Sequence, residues 1–250
     1  MAPTPCAAPE GLRRLSPALR RRARRRRRSL TRERGDAHGR AGNGAQLAVA
    51  PFELAPPGIP LLRGLRWGGE PGILLLHAPG GDLDDWRDLP SSLARRTVHG
   101  AVALDLPGHG LSDGSAADAD RLVALIRAVT GAPPMSRVRA VVAAGESALA
   151  LLRVVAERPL AGIACLSPTA PESDAAPLPR SPRVPKLLLA RSGDGDDLPR
   201  SRRLATASGG WTIVTGLAGP GSGTALLDGP AGSQARDEIV CFLRDCLLRP

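Results

Sequence analysis

The 250-residue sequence contains no tyrosine, two phenylalanines and three tryptophans. Phe52, Trp67, Trp86, Trp211 and Phe242 are too few and too scattered to form the stacking platform that holds single-stranded nucleic acids, so a base-reading surface is not expected. Histidine is nearly as scarce: His38, His77, His99 and His109 are the only four, and none follows residue 109. Cys6, Cys165, Cys241 and Cys246 form no C-x-x-C pair and have no histidine at metal-ligand spacing. That pattern indicates neither a zinc site nor a disulfide framework, and a reducing cytoplasm is the expected compartment. No cofactor site is indicated. No window of about 18 consecutive apolar residues exists, so no membrane span is expected. The arginines near the N-terminus are not followed by the apolar stretch of an export signal.

Lysine occurs once, as Lys186, against 33 arginines, and glycine and proline number 29 and 25, a bias that fits a GC-rich coding sequence better than any one function. The net charge of +10 is a property of one end of the chain. Residues 1–40 hold 13 arginines against Glu10, Glu33 and Asp36, whereas residues 41–250 carry 21 basic and 21 acidic groups. A segment with eight arginines between positions 20 and 28 repels itself and buries no apolar surface, so residues 1–44 are expected to be a disordered tail. Its readings are a solvated appendage, translated sequence ahead of a later start, or an arm of weak polyanion affinity acting through residues 13–34.

From residue 45 the pattern changes. Short apolar runs at 47–52, 61–67, 72–77, 101–106, 138–144, 162–167, 186–191 and 211–215 alternate with helical stretches at 83–96, 118–129, 147–157, 198–207 and 235–248. Alternation of this kind, with central strands apolar on both faces, predicts one α/β domain over 45–250: a mostly parallel sheet of about eight strands covered by helices on both sides.

Two loops carry a resemblance. The run from Gly72 to Trp86 reads GILLLHAPGGDLDDW, and the run from Ala101 to Gly114 reads AVALDLPGHGLSDG. Together they resemble the α/β-hydrolase fold, whose third strand ends in His-Gly-x-Gly-Gly and whose fourth ends in Asp-x-Pro-Gly-His-Gly-x-Ser. The likeness continues in order over roughly residues 55–248. It implies a serine ester or acyl hydrolase ancestry, and the short connection between Ser167 and Pro185 implies little or no cap domain.

The same resemblance implies a set of site residues. Gly145-Glu146-Ser147 resembles the G-x-S of a nucleophile elbow, where a serine stands at a sharp strand-to-helix corner; Ser147 is then the nucleophile position, and the alternative is a helix-capping serine. Asp196 fits the acid after the strand at 186–191, with Asp194 and Asp197 as rivals and an Asp/Gly turn as the plain alternative. At the position of the catalytic histidine, in the segment GPGSGTALL, stands Ser222. The oxyanion donors implied are the N–H of Ala148 and that of position 79, which is Pro79 and has none to give. Ala78 and Leu149 replace two glycines of the family pattern.

The expectation is therefore a hydrolase-like scaffold without a catalytic base, retained to bind a small acyl or ester-like ligand or a partner. Two alternatives stay open: an active ester or thioester hydrolase using Ser147 with His77 or His109 as base, and a polyanion binder working through its arginine arm. His77 and His109 are otherwise read as loop structure.

Overall fold

The computed structural model describes residues 47–169, 178–193 and 195–248. The tail at 1–44, its polyanion reading at 13–34 and the rival acid Asp194 lie outside the described residues.

Eight strands form one sheet: β1 (Val49–Leu54), β2 (Leu62–Trp67), β3 (Pro71–Leu76), β4 (Gly100–Leu104), β5 (Ala140–Ala144), β6 (Gly162–Leu166), β7 (Lys186–Arg191) and β8 (Thr212–Leu217). Their order is β1-β2-β4-β3-β5-β6-β7-β8. Strands β1, β2 and β4 pair antiparallel, and every pair from β4 through β3 to β8 is parallel. The runs PGILLL, GAVAL, AVVAA and GIACL are buried at every residue. Continuous apolar sequence of this kind is required of a strand covered on both faces.

Five helices supply the cover: α1 (Leu89–Arg96), α2 (Ala119–Gly131), α3 (Gly145–Val154), α4 (Asp197–Ser208) and α5 (Gly232–Leu247). One core layer joins Leu125, Ile126 and Val129 of α2 and Leu151 and Leu152 of α3 to Leu74, Val102 and Val141 of the sheet. The other joins Leu89 and Leu93 of α1 and Ile239, Val240 and Leu243 of α5 to Ile73, Leu75 and Val142. Alternate residues of each strand thus feed opposite layers, as the pleat dictates.

Two boundaries differ from the sequence reading for identifiable reasons. The helical stretch at 83–96 is broken: Asp82 caps a short 3₁₀ turn, Leu83–Trp86, Arg87 follows with φ +52°, and α1 restarts with Pro90 in its first turn. The helix expected to begin at Ser147 begins at Gly145, directly after the last residue of β5. In the return from β6 to β7, residues 178–185 contain no helix or strand, so among the described residues no cap covers the sheet. Among the same residues no helix is long and apolar enough to cross a membrane.

Candidate functional site

The chain reverses its direction of progress across the sheet at β3, which lies between β4 and β5. The C-terminal ends of strands at such a switch point border a crevice, the usual ligand position in α/β sheets. The loop after β3 and the corner between β5 and α3 meet there.

That corner is made by Gly145, with φ +57°, immediately after the extended Ala144. A strand can enter a helix this sharply only through a residue in the left-handed region, which glycine adopts at no steric cost. Gly145 is buried, and its carbonyl accepts the N–H of Thr169 at 3.2 Å. A Cβ placed on it would stand 2.8 Å from Cβ of Ala78 and 3.5 Å from Oγ1 of Thr169.

Ser147, expected at the corner, lies two residues into α3 instead. It is 0% exposed, and its Oγ donates to the carbonyl of His77 at 2.7 Å. The hydroxyl pins α3 to the end of β3. Ala148, expected to donate to an oxyanion, is also fully buried. With Ala144 as the N-cap, its N–H is the first that a regular helix directs back to the cap carbonyl. The residue after the corner is Glu146. Leu149 is buried on α3.

The loop after β3 is held by its histidines. His77 is fully buried; its Nε2 accepts the N–H of Leu106 at 2.9 Å, so Nδ1 carries the proton and donates to the carbonyl of Ala78 at 2.8 Å. Burial lowers its pKa, outweighing the raising influence of that hydrogen bond and of Asp105. His109 is engaged in the same way: Nε2 accepts the N–H of Gly80 at 2.9 Å, and Nδ1 donates to the carbonyl of Pro107 at 2.9 Å. The two rings meet edge to face at 5.4 Å. Asp105, fully buried with Oδ1 4.0 Å from Nε2 of His77, accepts the N–H of Leu83 at 2.8 Å and of Leu111 at 3.0 Å.

The carboxylates after β7 separate by environment. Asp196, favoured by the sequence, has a half-exposed side chain bound by Arg203 and Arg200, whose guanidinium groups hold its pKa below the usual range. Asp197 is the one turned inward. It is 8% exposed, its Oδ2 accepts both Ser167 Oγ and the N–H of Arg191 at 2.7 Å, and its buried Oδ1 has no hydrogen-bond partner.

After β8 the difference is again one residue. Ser222 is exposed and makes no side-chain cap to the short 3₁₀ turn Gly223–Leu227. Gly223 is buried with φ +60°, and a Cβ on it would stand 4.0 Å from both the Cβ of Ala144 and the N of Gly145. Arg87 and Asp228 hold this loop to the one after β3 through two hydrogen bonds of 2.8 and 2.9 Å.

Ser147, Asp196 and Ser222 therefore do not converge: the first is buried on α3 against the end of β3 and the other two face solvent. What converges is Gly145, Gly223, Ala78 and Thr169, with Pro79 half-buried beside them. The nearby thiol of Cys165 in β6 is pushed up to about 12 by burial and provides no thiolate at neutral pH. The signal missed in the sequence was the glycine immediately after the last apolar residue of β5, where a positive φ is needed.

A model of the Alpha/beta hydrolase family matches residues 73–244. Over 76 residues the chain is 45% identical to the dihydrolipoyllysine-residue acetyltransferase component of the acetoin cleaving system of Pseudomonas putida, a stretch covering 29% of this chain and 20% of that protein. The chain thus spans about a fifth of the length of the curated relatives it matches. Among solved structures, a predicted CIB-like hydrolase from Thermoplasma acidophilum superimposes with a TM-score of 0.65 at 18% identity, over 80% of this chain and 100% of that one. A monoacylglycerol lipase from Paleococcus ferrophilus gives 0.57 at 16% identity, over 81% and 100%. With its eight-stranded sheet, its strand-to-helix corner and this match along most of its length, the chain belongs to the alpha/beta hydrolase family.

Proposed function

We propose that this chain is a non-hydrolysing member of its family, a binding protein for a small acyl or ester-like ligand at the crevice beside β3 and β5. One observation carries the reading: the strand-to-helix corner, where the family presents its nucleophile, is Gly145 and has no side chain. Removing the nucleophile or the base of a serine hydrolase costs about 10⁶ in kcat. A missing oxyanion donor costs roughly 10² to 10³, and Pro79 has no N–H to offer. His77 and His109 are poor substitutes for the absent base, since both nitrogens of each ring are already hydrogen-bonded. Gly223, and not Ser222, is the closer match to the family's histidine position, and Asp197 to its acid.

Ala78, Gly145 and Gly223 supply nothing that could attack an acyl carbonyl held beside them. The acetyltransferase naming of the partial relatives favours an acyl-bearing ligand.

A fluorophosphonate probe and nitrophenyl butyrate test the reading together. The natural chain and Ser147→Ala are expected to be equally unlabelled and without turnover, while butyrate esters raise the Tm of both. Labelling of the natural chain that vanishes in Ser147→Ala would overturn it. A rebuilt variant, Ala78→Gly with Gly145→Ser and Gly223→His, removes the clash at 2.8 Å and is expected to gain labelling.

A further inference from the structure

The parallel strands have a second end, away from the Gly145 corner. The residues that precede β5, β6 and β7, namely Arg139, Ala161 and Pro185, line an open cleft of about 800 Å³. Among the described residues, four that line it are arginines, Arg139, Arg158, Arg180 and Arg183, and one is a carboxylate, Glu157. Glu157 is already taken: Arg127 binds both its oxygens at 2.7 Å, and that guanidinium holds its pKa down. None of the four arginines forms an ion pair with a carboxylate of the described residues; Arg158 donates only to the carbonyl of Arg127, at 3.3 Å. In a domain whose charges balance, this is a local excess of one sign.

The wall at 181–184 is fixed from beneath. Lys186, 0% exposed, donates its three ammonium protons to the carbonyls of Ser181, Val184 and Gly209 at 2.7, 3.0 and 2.9 Å. Every donor on the buried ammonium is satisfied, so the turn is set by the fold before any ligand arrives. Ser181 itself is 2% exposed and lines the cleft, and its Oγ has no hydrogen-bond partner.

We propose that this cleft binds a small phosphorylated metabolite, its phosphoryl oxygens held by Arg180, Arg183, Arg139 and Arg158. Guanidinium groups pair with phosphate in a bidentate fork. The volume is that of a small-molecule site. No aromatic side chain lines it, so a nucleobase would find nothing to stack on, and a phosphomonoester or diphosphate of an aliphatic or sugar alcohol fits better than a nucleotide. This site is separate from the crevice at the Gly145 corner, and neither reading depends on the other.

Titration of the full chain with pyrophosphate, and with glycerol 3-phosphate as a monoester, tests the proposal calorimetrically at low and moderate salt. Saturable binding is expected, weakened about tenfold for each arginine removed in Arg180→Ala and Arg183→Ala. These arginines are surface residues, and an unchanged Tm verifies that the variants fold. Replacing the arginines at 24–28 by glutamine should leave pyrophosphate affinity unchanged. Affinity that survives the double cleft variant, or disappears with the tail variant, would overturn the proposal. So would binding to phosphatidate vesicles with no measurable affinity for the free anions, which would assign the phosphate chemistry to a lipid surface.

Discussion

The loops after β3 and β4 and the corners after β5 and β8 lie within one crevice, yet they have been treated differently. In the first pair the acid and both imidazoles are engaged: Asp105 takes two backbone N–H groups, and both histidine rings are hydrogen-bonded at both nitrogens. In the second pair the apex residues are Gly145 and Gly223, with no side chain at all. The first pair is built from side chains that bind backbone, the second from two backbone corners of positive φ. The histidine and aspartate motifs of these loops hold backbone groups of the crevice in place.

The comparison breaks most readily at Asp105. Asp105→Ala leaves two backbone donors without an acceptor, one of them on the fully buried Leu83, and each such loss costs about 1–3 kcal/mol. A total near 3 kcal/mol is expected, read as a lower urea midpoint at unchanged slope. A variant as stable as the parent would show that the loops are not held by this carboxylate.

A smaller effect follows from His77. Burial keeps its folded pKa below the unfolded value of about 6.5, so on acidification the unfolded chain takes up a proton that the folded chain refuses. Its contribution to stability is whole above that pH and is lost as pH falls toward the folded pKa. His99, lowered by burial and by Arg139, acts in the same sense. Urea midpoints between about pH 8 and 5 should decline below 6.5, before the carboxylates titrate. A flat profile would mean that the His77 ring is solvated.

Asp196→Asn should do least. Its ion pairs with Arg200 and Arg203 lie in solvent, where such pairs contribute little. A Tm close to the parent's, with pyrophosphate affinity unchanged, is the expected outcome; a large loss would place this carboxylate back within the site.

Most of the architecture could be read from the chain. Strand runs such as 72–77 and 101–106 are apolar throughout, and two adjacent loop motifs with the same order of elements identify the family. On the proposed reading of the corner, the candidate site was legible only to within one or two residues. Gly145-Glu146-Ser147 satisfies a spacing pattern, but the corner requires the residue that tolerates positive φ, which moves the apex from Ser147 to Gly145. Asp196 and Asp197 are adjacent carboxylates at the entry to α4, and a pattern of letters does not reveal which one turns inward. Ser222 and Gly223 differ in the same way: the glycine takes the left-handed conformation and lies against the β5 corner, leaving the serine outside. Each shift comes from backbone geometry that composition and spacing do not encode.

Lys186 is the sequence's single lysine and is held entirely inside, its ammonium on three carbonyls and its pKa lowered by burial. Reagents that acylate ε-amino groups therefore find no lysine on the surface of the folded domain. Their reaction at Lys186 counts only molecules that have opened, so the protein contains its own chemical clock for unfolding.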